Sequence, residues 1–524
     1  MAKDYLTQFL PDLEEFKEKT MQFHNGELTV AEYKRFSGGF GSYAQRGGQK
    51  HMLRLRMAGG RLTKERMHFI VTRCEKYGID RLKMTTCQSI QLHNLKASDL
   101  CPLMEEAWMA GMISRGGGGD FPRNVMASPL SGVQKNEYFD VMPYAEAAGE
   151  YLMDFIKAVK FPRKLKVCFS NSPENETHAT FRDLGFIARA NHTFDVYIAG
   201  GLGIQPKLGI CAASQVAPEK ILYHIKAMVN TFTTYGNYEN RGKARTRFMQ
   251  ETLGIEGLRS AYQVQLAKVL ETESLDLHIL TSQPAKQGIG SAISHKRIIP
   301  QKQNGLYSVF YQPIGGNLSP CKAAQLYQLI APMKDVEIRL TPQEGLYIIN
   351  CNSKEAQTLL EATDDGARNP FETSTACIGA SICQVGIGDS QSLLSACINA
   401  VRKENFADGV LPKLHISGCP SSCGTHQIGT LGLRGGIRQT PDGPAPAFAV
   451  FKGGCPIRGK EVLADMGKSI LAKDLPEFLI KLGRMISADD SYYEAWIVLH
   501  HEEFDQLLAQ YTETTPLCAP NKRN

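Results

Sequence analysis

Two unlike segments of this 524-residue chain each occur twice, and in the same order. Residues 51–95 read as a strand (HMLRLRM), a Gly-Gly turn, a helix, and two more strands joined at a Thr-x-x-Gln turn. Residues 305–360 repeat that order through YSVFYQPIGG and RLTPQEGLYII, and the stretch from Gly316 to Thr341 nearly matches in length that from Gly60 to Thr86. The second pair is FPRKLKVCFSNSPENETHATFRDLGFIA (161–188) and VLPKLHISGCPSSCGTHQIGTLGLRGG (410–436). Each is followed by an apolar strand ending in glycines, FDVYIAGGLG and AFAVFKGGCP. Two dissimilar units recurring in one order mean internal duplication with a pseudo-two-fold relation between the halves. The expected class is α+β, with an interface between halves of the kind where large ligands sit.

Around the repeats the chain reads simply. Residues 1–36 carry charges every few positions among Leu6, Phe9, Leu10, Leu13, Phe16 and Met21, which predicts a helical arm and leaves no apolar signal segment. The join between halves is expected near 283–304, a stretch rich in Pro, Gly, Lys and Gln. SYYEAWIVLHHEEFDQLLAQY predicts one amphipathic helix, followed by a charged tail. GGLG at 200–203 lacks the full G-x-G-x-x-G spacing, and SRGGGGDFPRNV lacks the Walker lysine; the latter reads as a flexible loop of close backbone approach. A net charge of +6 without any long basic run excludes nucleic acid as the expected partner, and no 18-residue apolar run points to a membrane. Fourteen cysteines in a chain without an export signal imply a reducing, cytoplasmic setting.

Four of these cysteines are paired in sequence. Cys377 and Cys383 are spaced C-x5-C, Cys419 and Cys423 C-x3-C, and 35 residues separate the pairs. Soft thiolates in two tight pairs suit an iron-sulfur cluster. Structural zinc accepts the second spacing but fits the first badly, and unrelated core cysteines are a third reading. Gly418, Pro420, Ser421, Ser422 and Gly424 make the second pair a sharply folding loop. In HMLRLRM the period of two sets Arg54 and Arg56 on one strand face, either as a solvated edge or as part of an anion site.

From about residue 40 to 460 these features resemble the siroheme-containing sulfite and nitrite reductase family of the ferredoxin-dependent type. The resemblance implies two ferredoxin-like units and two larger α/β units around a central siroheme and iron-sulfur site. It divides the chain into a helical arm (1–40), ferredoxin-like half 1 (41–120), a siroheme and substrate domain (121–290), ferredoxin-like half 2 (305–368) and an iron-sulfur domain (369–515). It implies that Cys377, Cys383, Cys419 and Cys423 hold a 4Fe-4S cluster, with Cys423 bridging to the siroheme iron. Arg54, Arg123, Lys164 and Lys166 match the cations that surround the substrate anion, and Arg163, Gln91 and His93 fall in siroheme-contact segments. Where the family has Thr-Thr-Arg-Gln, this chain has Thr85, Thr86, Cys87 and Gln88, so an arginine expected near siroheme carboxylates is missing.

The implied activity is six-electron reduction of sulfite to sulfide, with nitrite to ammonia as the alternative. An oxygen-using tetrapyrrole-biosynthetic enzyme and a non-catalytic metal-binding module are weaker readings. Family nitrite reductases tend to carry asparagine at the second lysine position, which favours sulfite for a chain with Lys164 and Lys166. With no flavin or nicotinamide module in the sequence, a small carrier such as ferredoxin is the expected electron donor.

Overall fold

The computed structural model describes residues 5–279 and 286–512, so the charged tail and residues 283–285 of the join lie outside the described residues. Two compact units are formed, Met1–Ala367 with Pro456–Glu461, and Arg368–Cys455 with Val462–Asn524.

In the first unit the strands are β1 (Ser42–Ala44), β2 (His51–Leu55), β3 (Arg61–Leu62), β4 (Leu82–Met84), β5 (Ile90–Leu95), β6 (Met126–Ala127), β7 (Val167–Ser170), β8 (Leu184–Ala188), β9 (Phe194–Ile198), β10 (Ile210–Val216), β11 (Ile298–Pro300), β12 (Tyr307–Tyr311), β13 (Asn317–Leu318), β14 (Glu337–Leu340) and β15 (Leu346–Cys351). Two sheets have matching orders, β1-β2-β5-β4-β13 and β11-β12-β15-β14-β3. Each takes its fifth strand from the other copy, because β13 pairs with β4 and β3 with β14. The turn that makes this exchange needs positive φ in both copies, at Gly60 (69°) and Gly316 (68°). Inside, Leu53, Leu55, Leu92, Val309, Ile338 and Ile348 share one core, which also takes Phe9 and Phe16 from the arm helices. Part of the predicted linker is therefore structural, since its residues 298–300 form the edge strand β11.

Helix Lys64–Tyr77 starts where Thr63 Oγ1 accepts from Arg66 N and stops at Gly78, φ 60°. Its buried Met67, Ile70 and Cys74 recur at helical spacing, the stripe that seats it on the sheet. The second copy repeats the device with Ser319 capping Pro320–Ile330.

The larger repeat is as regular. Sheet β10-β9-β8-β7-β6 of the first unit has its counterpart in the second unit, built from β16 (Thr375–Ala376), β17 (Leu414–Ser417), β18 (Leu431–Thr440), β19 (Gly443–Lys452) and β20 (Asp465–Leu471). In each, the first three strands run parallel and the last two antiparallel. Val167 faces Leu184 as Leu414 faces Leu431, which aligns the copies residue by residue. After the strand both copies bend through the same non-glycine positive φ values, 51° at Asn175 and 54° at Ser422, then 59° at His178 and 58° at Thr425. This register sets Cys419 and Cys423 at the positions of Ser172 and Glu176, while Cys377, the first residue after β16, corresponds to Ser128 after β6. The expected single C-terminal helix is two, Tyr493–Leu499 and His501–Thr512, broken at His500. No helix among the described residues is long and apolar enough to cross a membrane.

Candidate functional site

The first unit gathers cations around a glycine loop. Leu53 and Leu55 point into the core with no exposed surface, so the intervening Arg54 points out of it, opposite Gln91 of β5. Arg54 NH1 donates to the Gly117 carbonyl at 2.6 Å, and Arg123 donates to the same carbonyl at 2.8 Å and to that of Gly119 at 2.9 Å. The loop expected to be flexible is thus held by two guanidiniums. Its glycines are required, because a side chain at Gly118 would collide with the Gly38 carbonyl and the Tyr43 hydroxyl. Tyr43 accepts from Gly119 N at 2.8 Å. Burial would raise its hydroxyl, but Arg123 and Arg54 outweigh burial and hold it below the usual phenol value.

The Gln91 amide satisfies its neighbours when its oxygen accepts from Arg54, at 3.2 Å from Nε and 2.5 Å from NH2, and its nitrogen donates to His93 Nε2 at 3.1 Å. His93 Nδ1 lies 2.9 Å from Gln45 Nε2. Burial, reinforced by Arg81 and Arg54, pushes this ring down to about 3 and keeps it neutral. With 1% of its surface exposed, His93 supports Gln91 from within.

Arg123 and the two lysines are brought together by backbone. Arg123 N donates to Leu165 O at 2.8 Å, and Leu165 N to Phe121 O at 3.2 Å, so the two segments run side by side. Leu165 is fully buried and its neighbours Lys164 and Lys166 are half-buried. Lys166 is anchored at its backbone N by Asp183 Oδ2 (2.9 Å), and its Nζ reaches Cys87 Sγ at 3.4 Å. Arg163 pairs with Asp120 at 2.6 Å, and Arg241 binds the same carboxylate.

Two residues here, Asn124 and Arg182, escaped the sequence reading, and Arg56, expected on the face of Arg54, takes a different role. Arg56 shares the strand face of Arg54 but turns inward, donating to the carbonyls of Arg115 (2.7 Å), Pro122 (3.2 Å) and Arg123 (3.1 Å). Asn124 ties Met57 O, Cys87 O and Gln88 O together through one amide. Arg182, 4% exposed, leaves NH2 without a partner, as Arg123 and Arg245 each leave Nε. Buried guanidinium donors without acceptors suit an anionic guest, whether an oxyanion or the carboxylates of a tetrapyrrole. The period of two gave the face of Arg56 but not its partners, and Asn124 and Arg182 had no sequence signal beyond the residue type.

In the second unit, the cysteine pairs follow adjacent parallel strands. Ala376 faces Ile416, and Cys377 N donates to Ile416 O at 3.0 Å, so Cys377 and the 418–424 loop leave the same sheet edge one strand spacing apart. The Gly418 carbonyl accepts from Ile387 N (2.9 Å) and Gly388 N (2.8 Å), which draws in the loop that carries Cys383. Gly418 N donates to Cys377 Sγ at 3.1 Å, a contact of the kind that tunes cluster potentials, and Ser390 Oγ lies 3.2 Å from the same sulfur. Cys377, Cys383 and Cys419 are half-buried and Cys423 is exposed. By contrast Cys74, Cys168 and Cys397 are buried, and burial pushes their thiols up to between about 11 and about 12. The quartet is thus unlike the core cysteines. Among the described residues no group of three or more His, Cys, Asp or Glu side chains is placed to hold a metal ion.

Two family models match this chain. Residues 43–107 match the nitrite/sulfite reductase ferredoxin-like half domain, and residues 118–270 the nitrite and sulphite reductase 4Fe-4S domain. A chloroplastic ferredoxin–nitrite reductase of Zea mays is 26% identical over 446 residues, covering 81% of this chain and 77% of the maize protein. An assimilatory ferredoxin-dependent nitrite reductase of Haloferax mediterranei is 26% identical, covering 77% of this chain and 74% of its own. A sulfite reductase [ferredoxin] of Mycolicibacterium paratuberculosis is 24% identical, covering 77% and 73%. The fold matches the Mycobacterium tuberculosis NirA protein with a TM-score of 0.74 at 21% identity, over 91% of this chain and 92% of that one. In its duplicated sheets, its two matching domain models and these relatives, the chain is similar to the nitrite and sulfite reductase family over most of its length.

Proposed function

We propose that the chain reduces sulfite to sulfide by six electrons, using siroheme and a 4Fe-4S cluster, with reduced ferredoxin or a similar small carrier as donor. Cys377, Cys383, Cys419 and Cys423 would hold the cluster, Cys423 would also ligate siroheme iron, and Gln91 and Arg163 would contact the tetrapyrrole. That pair of cofactors would supply electrons at one iron through a thiolate path.

The chain's own residues do the rest. Arg54 and Arg123, fixed on the Gly117 carbonyl, hold planar donors for an oxyanion without reorganising when it arrives. Lys164 and Lys166 add ammonium groups that polarise S–O bonds and can pass protons as water leaves. Each charge-assisted contact contributes about 1.5–3 kcal/mol in a desolvated site. The observation that carries sulfite over nitrite is the second lysine. A dianion with three oxygens gains more from Lys166 than a monoanion with two.

A second reading, nitrite to ammonia, has its own observation. Lys166 Nζ sits 3.4 Å from Cys87 Sγ, and a sulfur there competes with substrate for that ammonium. Relatives named as nitrite reductases are consistent with it. Steady-state assays of wild type and Lys166→Asn with one reduced donor separate the readings. We expect higher kcat/KM for sulfite in wild type and a move toward nitrite in the variant. A wild-type preference for nitrite that the substitution leaves unaltered refutes sulfite.

A further inference from the structure

Cys87 stands where the family resemblance calls for arginine, in the turn between β4 and β5, and it is half-buried. Every charged side chain that acts on it strongly is a cation. Lys166 reaches it from the segment before β7, Arg182 from the turn before β8 and Arg54 from β2, with Arg123 and the neutral thiol of Cys168 also within reach. The Lys166 contact is 3.4 Å, and Arg182 is 4% exposed with an NH2 that has no hydrogen-bond partner. Burial alone would push the Cys87 thiol up, but Lys166 and Arg182 outweigh it and bring it down to about 6.

We propose that Cys87 is a specificity-determining residue of the anion site: its ionised sulfur is the built-in counter-ion of Lys166, and the Cys87–Lys166 pair, not Lys166 alone, sets the preference between singly and doubly charged oxyanions. An arginine at this position adds a cation to the site; this chain adds an anion instead. The thiolate lowers the field that the four cations present, and a dianion loses about twice as much from that as a monoanion. Sulfite selectivity is therefore lower in the wild type than two lysines imply, and it rises whenever Cys87 is neutral. This rests on the reading of Arg54, Arg123, Lys164 and Lys166 as the substrate site.

Two measurements on the full-length protein test it. In the cofactor-loaded enzyme, Cys87→Ser and Cys87→Ala should raise the sulfite-to-nitrite ratio of kcat/KM by about tenfold at about pH 7.5, and by less near pH 5.5, where wild-type Cys87 is mostly protonated and sulfite is mainly singly charged bisulfite. The second readout is the pH profile of Cys87 alkylation by iodoacetamide, followed on its own peptide by mass spectrometry. Its midpoint should lie near 6 in wild type and move toward the ordinary thiol value of about 8.5 in Lys166→Asn. If both Cys87 variants fail to load cofactor, that shift decides. An ordinary midpoint, no alkylation at any pH, or an unchanged substrate ratio overturns the inference. A chain that reduces neither anion yet shows the low midpoint ends the functional reading and the specificity role with it, leaving only the ion pair.

Discussion

Arg54 and Arg56 lie two residues apart on one strand face, yet one borders the proposed anion site and the other holds the frame. Arg54, half-buried, gives NH1 to the Gly117 carbonyl and meets the Gln91 amide, whereas Arg56, 9% exposed, gives its donors to three loop carbonyls. Burial, with Arg123 beside it, pushes Arg56 down only to about 10, so it stays charged at neutral pH. Removing it leaves those carbonyls unpaired in the interior, a cost of about 2–4 kcal/mol. We expect Arg56→Met to lower the thermal midpoint by several degrees and to weaken anion binding by loosening Arg123, whose own carbonyl Arg56 holds. Arg56→Lys should not restore it, because one ammonium cannot reach carbonyls fanned around a planar fork. Equal melting of Arg56→Met and wild type would show that the contacts carry little. The shared face of these arginines was legible from the period of two. Their division of labour was not, because it depends on the 115–123 loop, which is remote in sequence.

Between elements, the two copies of one turn have diverged in chemistry while keeping their shape. Gln88 and Glu344 occupy the same place in the Thr-x-x-Gln and Thr-Pro-Gln-Glu turns, with φ of 52° and 67°. Gln88 spans outward, donating to Ala127 O (2.8 Å) and Leu340 O (2.7 Å). Glu344 instead meets Lys83 at 2.7 Å, and Lys83 also donates to Gly315 O at 2.6 Å; both side chains are 2% exposed. An ion pair this deep is costly to break on one side and cheap to replace whole. Lys83→Met should cost about 3–5 kcal/mol, and Lys83→Met with Glu344→Leu should recover most of it. Thermal melts of the two single variants and the double decide this; a double variant as weak as the sum of the singles would refute the pairing. The duplication was legible because each copy keeps its glycines and its long strands. The strand exchange was not, since β3 and β13 are two residues each, and Arg-Leu or Asn-Leu carries no period from which pairing can be read.

At the scale of the whole molecule, one duplicated fold has specialised asymmetrically. Ser128, Ser172 and Glu176 in the first copy give way to Cys377, Cys419 and Cys423 in the second, while the sheet order and the positive-φ bends stay the same. In the first copy Asn175 braces the equivalent loop, donating to Thr180 Oγ1 (2.8 Å) and Pro456 O (2.8 Å) and accepting from Ala179 N (2.6 Å). In the second copy the residue at the Asn175 position is Ser422, whose Oγ is buried without a partner, as are both ring nitrogens of His426. The order of that loop then depends more on what the cysteines bind, and metal binding free energy becomes local folding free energy. Cys419→Ser should therefore lose the roughly four irons of a cluster and, in hydrogen exchange, lose protection across residues 377–390 and 418–430. Strands β2, β5, β7 and β8 of the first unit should keep theirs, since their loops close on protein atoms. Iron retained in full by the variant would refute the ligand assignment. Protection lost equally in both units would show instead that stability is shared across the molecule and that the cysteine loops are not its metal-dependent part.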